Sequence, residues 1–207
     1  MSKKTLFILR VPPPFGGGEI VSQELYEQLK NEYNFVLIKQ KGHNKSKQAN
    51  PNLFSILRGV GFIFKAIIEL IKVKPKVLFI GLSKGFGSFA RNSVIILFAR
   101  LLGAKVYGEL HGMSFLFLES KYKKKYFHFI LNKVDKVRVL GDSIKVYMEK
   151  IGYRGKVYVI SNGISRSIEP HNEVSFDINK VQLLYFGGIS KNKGFHDVIN
   201  VLSTLKE

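Results

Sequence analysis

The chain has 207 residues, 45% of them hydrophobic, which is enough apolar material for a folded core and excludes a disordered tail. It has no cysteine, which excludes disulfides, a thiol nucleophile and a cysteine-ligated zinc site. The 33 lysines and arginines exceed the 15 acidic residues by 18. This charge predicts an anionic partner, namely a phosphorylated substrate, an acidic lipid surface or nucleic acid, although lysines that are merely solvated at the surface explain it as well.

Short apolar runs alternate with helical patterns along the chain. Strands are predicted at 5–10, 35–39, 77–82, 106–111, 136–140 and 157–161, and helices at 19–32, 53–72, 87–102, 117–134 and 143–151. Most strands are continuous apolar runs, as in parallel strands that are covered on both faces. The pattern predicts an α/β fold, a Rossmann-like parallel sheet with helices on both faces.

A domain boundary is predicted after this α/β region. The first domain comprises residues 1–164, and residues 165–180 are polar, contain Pro170 and are interpreted as a linker. Residues 181–207 hold a strand at 182–186, a glycine-rich turn and a helix that starts at Phe195. We interpret them as the first strand and helix of a second domain that is cut off.

Two of the predicted helices are amphipathic. In the predicted helix 53–72 the charged residues form one stripe. In the predicted helix 117–134 the basic residues share one face, opposite aromatic residues. The stripe comprises Arg58, Lys65, Glu69 and Lys72; the basic face comprises Lys121, Lys124, Lys125 and His128, and the opposite face Tyr122, Tyr126, Phe129 and Ile130. Such helices can lie on an anionic membrane, or they can pack on the sheet with their lysines in water.

No export or membrane-spanning signal is predicted. The apolar run after Lys3 and Lys4 stops at Arg10, too early for the core of a signal peptide. No uncharged apolar run approaches the roughly 18 residues that span a bilayer. We therefore expect a cytoplasmic protein, peripheral on the inner face of the membrane.

Three loops that follow strands are candidates for ligand binding. Residues 12–19 place three glycines before the first helix, where a ligand phosphate can approach the backbone, although a tight turn explains them as well. His111 and Gly112 follow the fourth strand, where an imidazole can hydrogen-bond a sugar hydroxyl or have a structural role. The loop 187–194 combines glycines with lysines that suit a diphosphate. The spacing of the histidines indicates no metal site.

The order and spacing of these motifs resemble family 4 of the retaining glycosyltransferases, the group-1 type with the two-domain GT-B fold. The resemblance covers essentially the whole chain. The matching segments are Pro-x-Phe-Gly-Gly-Gly-Glu at 13–19, His111–Gly112, the Asp…Ser stretch at 132–143, Val-Ile-Ser-Asn-Gly-Ile at 159–164 and Phe-Gly-Gly-Ile-Ser-Lys-Asn-Lys-Gly at 186–194.

The resemblance implies an acceptor-binding N-terminal domain that faces a domain for a nucleotide-sugar. It implies that His111 contacts the transferred sugar beside the reacting carbon and is the catalytic residue, and that Lys193 pairs with the leaving diphosphate. The residues implied in donor or substrate binding are Gly17, Gly18, Glu19, Gly112, Asn162, Gly187, Lys193 and Gly194. No cofactor and no metal are implied, because the nucleotide-sugar is a substrate.

Two departures from the family pattern stand out. Gly188 replaces an arginine that the family uses for a phosphate contact, and Lys191 is a candidate to compensate. The family's Glu-x7-Glu element would lie beyond Glu207, so the 207-residue chain is expected to have little or no transferase activity by itself.

The leading interpretation is therefore part of a glycosyltransferase for a lipid-linked, polysaccharide or other glycan acceptor at the membrane. Two alternatives stay open: a truncated, non-catalytic domain that binds anionic lipid or glycan, and a fragment of a nucleotide-sugar epimerase with the same fold. A nucleic-acid partner is not expected, because no recognised nucleic-acid motif accompanies the charge.

Overall fold

The computed structural model describes residues 4–13, 15–39, 53–83, 85–111, 120–163, 183–187, 189 and 193–204. The strands are β1 (Thr5–Val11), β2 (Asn34–Lys39), β3 (Val77–Gly81), β4 (Lys105–Leu110), β5 (Lys136–Val139) and β6 (Lys156–Val159). The helices are α1 (Gly17–Leu29), α2 (Leu53–Val73), α3 (Phe86–Leu101), α4 (Lys121–Leu131), α5 (Asp142–Lys150) and α6 (Phe195–Thr204).

All six strands are parallel and form one sheet in the order β2-β1-β3-β4-β5-β6. Right-handed crossovers place α1 on one face of this sheet and α2 to α5 on the other. In agreement, α2 packs on α3 and α3 on α4, whereas Tyr26 of α1 contacts the ring of Phe35 edge-on. The predicted α/β class with a parallel, Rossmann-like sheet is confirmed.

The core lies between the sheet and the layer of α2 to α5. Alternate residues of the central strands point into it and are fully buried, including Leu6, Ile8, Leu78, Ile80, Val106 and Val137. Each such side chain contributes about 1.5–3 kcal/mol by leaving water. The opposite face of β1 and β2 is covered by α1 and by a cluster of the rings of Phe7, Tyr33 and Phe35.

Glycines end two of the helices and so set where the next strand begins. Gly103 follows α3 with φ of 80°, and the N–H of Ala104 donates to the carbonyl oxygen of Ala99 at 2.9 Å. Gly152 has the same φ after α5, where the N–H of Tyr153 donates to a carbonyl oxygen at 3.0 Å. Both are Schellman caps, in which a left-handed glycine lets the chain reverse.

Helix α4 differs from its sequence-based prediction. Its buried face comprises Phe127, Ile130 and Leu131, whereas the side chains of Tyr122 and Phe129 are exposed. Tyr122 and Phe129 are seven residues apart and lie on the side of the helix away from the sheet. Of the four residues predicted to lie opposite the basic face, the helix therefore buries Ile130 but leaves Tyr122 and Phe129 exposed.

The chain divides into two compact units, Met1–Gly163 and Ile164–Glu207. In the second unit the ring of Tyr185 contacts that of Phe195 at the start of α6. Residues 183–186 were predicted as part of a strand, but they are not in one. A strand exchanges backbone hydrogen bonds with a neighbouring strand, and the described residues of this unit include no strand with which residues 183–186 could pair. The predicted linker, 165–180, lies outside the described residues.

Candidate functional site

A cavity of about 390 Å³ lies at the carboxyl ends of β1, β3 and β4. Its wall also includes residues from the first turns of α1 and α3. The chain leaves β1 toward β2 on one side and returns to β3 on the other, so helices on opposite faces of the sheet flank this point. Parallel α/β sheets bind ligands at such reversals of strand order.

The glycine motif supplies the first turn of α1 to this cavity. A Cβ atom at Gly18 would lie 3.5 Å from Cγ of His111, in ordinary van der Waals contact, so the first turn of α1 packs directly against the imidazole ring. Glu19 lines the cavity, and its Oε1 lies 3.6 Å from Nη1 of Arg10. A Cβ at Gly17 would meet no described atom within 4 Å. Gly18, Glu19 and His111 are thus brought together, and Gly17 borders them.

His111 belongs to a chain of polar contacts across three strands. Its Nε2 lies 3.1 Å from Oε2 of Glu109, whose side chain is only 4% exposed. Nη1 of Arg138 donates to the other carboxylate oxygen of Glu109. Glu109 and Arg138 stand opposite each other in the β4–β5 ladder.

The carboxylate of Glu109 is ionised at neutral pH. Burial by itself raises the pKa of Glu109, but the hydrogen bonds and the electrostatic attraction of His111 and Arg138 outweigh it and hold the pKa below the ordinary value of 4.5. Because an ionised carboxylate only accepts hydrogen bonds, Nε2 of His111 carries a proton. In neutral His111 the lone pair is therefore on Nδ1.

Nδ1 of His111 is buried and has no hydrogen-bond partner among the described residues. A Cβ at Gly18 would lie 3.5 Å from Cγ and 3.6 Å from both Cδ2 and Nδ1, so the face of the imidazole ring is turned toward the first turn of α1. A buried nitrogen without a partner costs about 1–3 kcal/mol.

Arg138 also connects this pair to the loop after β6. Its Nη2 donates to Oδ1 of Asn162 at 3.1 Å, and its Nε donates to the carbonyl oxygen of Ile160 at 3.3 Å. Asn162 was predicted from sequence as a substrate-binding residue. It does not line the cavity, but it contacts the guanidinium that holds Glu109.

The other predicted residues lie elsewhere. Gly187, Lys193 and Gly194 are in the second unit, where the carbonyl oxygen of Lys193 accepts a hydrogen bond from the hydroxyl of Tyr185 at 3.0 Å. Gly194 has φ of 74° and begins the turn into α6. Three further residues of interest, Gly112, Gly188 and Lys191, lie outside the described residues.

Sequence reasoning missed Glu109, Arg138 and Arg91, which lie in or beside the cavity. For Glu109 a signal exists, because an acidic residue inside an otherwise apolar central strand must find a partner when it is buried. Arg138 similarly interrupts the apolar run of β5. Arg91 gives no such signal, because an arginine on a helix is ordinary.

Within the part of the chain that the structure describes, no helix is both long enough and apolar enough to cross a bilayer. The same residues contain no group of three or more histidines and acidic residues that could hold a metal ion. No protein-family model matches the sequence, and no curated protein matches it either.

Proposed function

We propose that this chain is part of a retaining glycosyltransferase, which transfers a sugar from a nucleotide-sugar to a lipid-linked, polysaccharide or other glycan acceptor. One observation carries the proposal: the glycine-rich start of α1 meets His111 inside one cavity at the carboxyl ends of the strands. These are the first two motifs of the family that the sequence resembles. Gly18 and His111 are 93 residues apart in the sequence, so the fold brings them together.

In the proposed reaction His111 contacts the sugar that is transferred. Glu109 holds the imidazole in one tautomer, with the proton on Nε2, so that Nδ1 can accept a hydrogen bond from a sugar hydroxyl. Gly18 keeps side-chain atoms out of the space next to the ring. Glu109 thus acts as a positioning residue, because it orients His111 and is itself held by Arg138.

In this proposal, residues of the second unit bind the diphosphate that leaves the donor. Lys193 would place a positive charge near the leaving oxygen, and Gly187 and Gly194 would let the backbone approach the phosphates. The amino end of α6 alone would contribute about 0.3–1 kcal/mol, up to ~2 kcal/mol when sheltered from water. A lysine is therefore required in addition to the helix.

The test is a reaction of the 207-residue chain, in excess over donor, with nucleotide-sugars that differ in base and sugar. Lipid-linked and glycan acceptors are added, and ³¹P NMR follows the release of nucleoside diphosphate. Because little transferase activity is expected of the 207-residue chain by itself, we expect at most slow release that depends on the acceptor, and we expect His111→Ala to abolish it. The control is His128→Ala, since His128 lies on α4 and does not line the cavity.

The same assay separates the alternatives. An epimerase would alter the sugar when no acceptor is present, and a binding module would retain acceptor without releasing nucleoside diphosphate. If the chain retains no acceptor and no nucleotide-sugar and also gives no release, the transferase proposal fails for this chain.

We also propose that the protein binds the cytoplasmic face of an anionic membrane through α2. Apolar side chains recur along this helix and are exposed to solvent, namely Leu57, Val60, Phe64, Ile68 and Ile71. Beside them, Arg58, Lys65 and Lys72 are exposed in a stripe that also includes Glu69, whose Oε1 lies 3.6 Å from Nζ of Lys72. An interfacial helix combines these two features, and each basic residue near an anionic surface contributes about 1 kcal/mol.

Flotation with vesicles tests this membrane proposal. We expect wild type to float with phosphatidylglycerol vesicles but not with phosphatidylcholine vesicles, and the double variant Phe64→Glu/Ile71→Glu to stay unbound. Val146→Glu is the matched control, because Val146 is an exposed apolar residue on α5. Equal flotation of the double variant and the control would reject α2 as the contact.

A further inference from the structure

Arg91 is held in a fixed orientation at the wall of the cavity. Its Nε donates to Oδ1 of Asn92 at 3.1 Å, and its guanidinium lies 5.0 Å from the centre of the Phe62 ring on α2. The side chain of Arg91 also runs past Gly59 of α2, where a Cβ atom would lie 4.0 Å from Cδ of Arg91. Such stacking and hydrogen bonding orient the planar donor group before any ligand binds.

Asn92 connects this arginine to the end of β3. It is buried, and its Nδ2 donates to the carbonyl oxygen of Gly81 at 2.9 Å and to Oγ of Ser83 at 3.3 Å. Because Oγ of Ser83 accepts this hydrogen bond, its own proton remains available to a ligand in the cavity that Ser83 lines. Arg91 and Ser83 therefore present donors from one rigid unit.

A second guanidinium, that of Arg10, lines the same cavity. Arg10 has a carboxylate neighbour, Glu19, but no ion pair of the described residues includes Arg91. Burial, and then the positive charge of Arg10, lower the pKa of Arg91, which means that the two cations repel each other across the cavity. An anion between them would relieve this repulsion.

The amino end of α3 adds donors at the same place. Gly85 precedes this 16-residue helix, lines the cavity and provides no side-chain cap for the first N–H groups. The positive end of a helix favours an anion, and here it lies at the wall of a cavity that two guanidinium groups and a hydroxyl also line.

We propose that Arg10 and Arg91 bind a phosphate group of the ligand that enters this cavity, and that this phosphate belongs to the acceptor. A tetrahedral phosphate suits the site because donors converge on it from two strands and a helix, and arginine pairs with it in a bidentate manner. The assignment to the acceptor rests on the proposed transferase function, whereas the anion site itself does not. Candidate acceptors are thus a sugar phosphate or the head group of a phospholipid.

The test is an NMR titration of the ¹⁵N-labelled 207-residue chain at constant ionic strength, without any donor. The probes are inorganic phosphate, a hexose phosphate, the same hexose without phosphate, and short-chain phosphatidylglycerol. Saturable shifts are expected at the arginine Nε–H groups and at the backbone N–H groups of residues 85–88. In Arg91→Gln the affinity for phosphate is expected to fall about tenfold or more.

Matched variants make the result specific. Arg154→Gln removes the same charge at an exposed position outside the cavity, and it is expected to change the phosphate affinity less than about twofold. Arg91→Lys keeps the charge but loses the planar fork, so its affinity should lie between those of wild type and Arg91→Gln. If Arg91→Gln does not fold by circular dichroism, Arg10→Gln and Arg91→Lys provide the comparison.

Each outcome decides between defined possibilities. Binding of hexose phosphate but not of hexose supports a soluble phosphorylated acceptor, and binding of phosphatidylglycerol alone supports a lipid head group. No saturable phosphate binding, or equal loss in Arg91→Gln and Arg154→Gln, overturns the site. Displacement of phosphate by nucleoside diphosphate at lower concentration overturns its assignment to the acceptor. Phosphate binding by a chain that retains no acceptor and no nucleotide-sugar and gives no release in the transferase assay would leave the site standing and reject the transferase function.

Discussion

Replacing Glu109 by glutamine tests the polar chain that positions His111. The side chain of Glu109 is 4% exposed and accepts from Nε2 of His111 and from Nη1 of Arg138, whose side chain is 17% exposed. Each hydrogen bond that involves a charged group contributes about 1.5–3 kcal/mol. Glutamine keeps one acceptor oxygen, so only one of the two donors, His111 or Arg138, retains its hydrogen bond. The other donor then faces the amide N–H₂ group, which cannot accept. We therefore expect Glu109→Gln to lower the free energy of unfolding by about 2–4 kcal/mol, somewhat less than complete loss of a buried pair.

The pH dependence identifies the charge as the cause. The pKa of Glu109 is lowered in the folded state, so its stabilisation is complete above the unfolded value of 4.5 and is lost as the pH falls through the folded value. The difference in unfolding free energy between wild type and Glu109→Gln should be constant from about pH 7 to about pH 5.5. It should then shrink as the solution becomes more acidic.

Urea unfolding followed by circular dichroism measures both quantities. Glu149→Gln is the control, because Glu149 is exposed on α5 and its replacement should cost less than about 0.5 kcal/mol. A Glu109→Gln protein as stable as this control at pH 7 would refute the reasoning. A large difference that does not change between pH 7 and pH 3.5 would also refute it, since packing rather than charge would then be responsible.

Three further substitutions test contacts around the sheet. A Cβ at Gly108 would lie 2.9 Å from Cδ1 of Leu82, so Gly108→Ala should cost about 1–3 kcal/mol of unfolding free energy in urea. Asp135→Ala removes the carboxylate that accepts from the N–H of Val106 at 2.7 Å; we expect a loss of about 1–3 kcal/mol and faster hydrogen exchange at that amide. Tyr153→Phe removes a buried hydroxyl that donates to a carbonyl oxygen at 3.1 Å, and thermal unfolding should show a loss of about 0.5–1.5 kcal/mol.

Gly61→Ala is the control for Gly108→Ala. Gly61 lies within α2 and a Cβ there would meet no described atom within 4 Å, so alanine should stabilise the protein by about 0.5–1 kcal/mol. Equal effects of the two substitutions would contradict the crowding at Gly108. If hydrogen exchange at the Val106 amide is unchanged in Asp135→Ala, the contact with Asp135 is contradicted. If Tyr153→Phe is as stable as wild type, a stabilising role of the Tyr153 hydroxyl is contradicted.

The first unit was largely predictable because each of its strands carries a local signal. The apolar runs at 5–10 and 77–82 each correspond to an observed strand, β1 and β3, within one residue at either end. Gly18 and His111 could also be assigned to one edge of the sheet, because parallel strands end on the same side. In contrast, no local signal shows which face α4 buries, because aromatic residues occur both on its buried side and on its exposed side.

The Glu109–Arg138 pair could not be predicted, since it depends on the alignment of two strands that are 29 residues apart in sequence. The orientation of Arg91 likewise depends on the packing of α2 against α3, which brings Phe62 beneath its guanidinium. Both contacts are products of tertiary structure. A search of the sequence for charged residues inside apolar strands would have found Glu109 but not its partner.

The pairing of Glu109 with Arg138 also bears on how the sheet assembles. Successive side chains of a strand point to opposite faces, so a shift of β5 by one residue would set Val137 or Val139 beside Glu109 and turn Arg138 toward the helix layer. The shifted sheet would bury an unpaired guanidinium and leave the Glu109 carboxylate with His111 as its remaining partner, at a cost of several kcal/mol. The same two charges that orient the imidazole therefore select the correct register of β5 during folding.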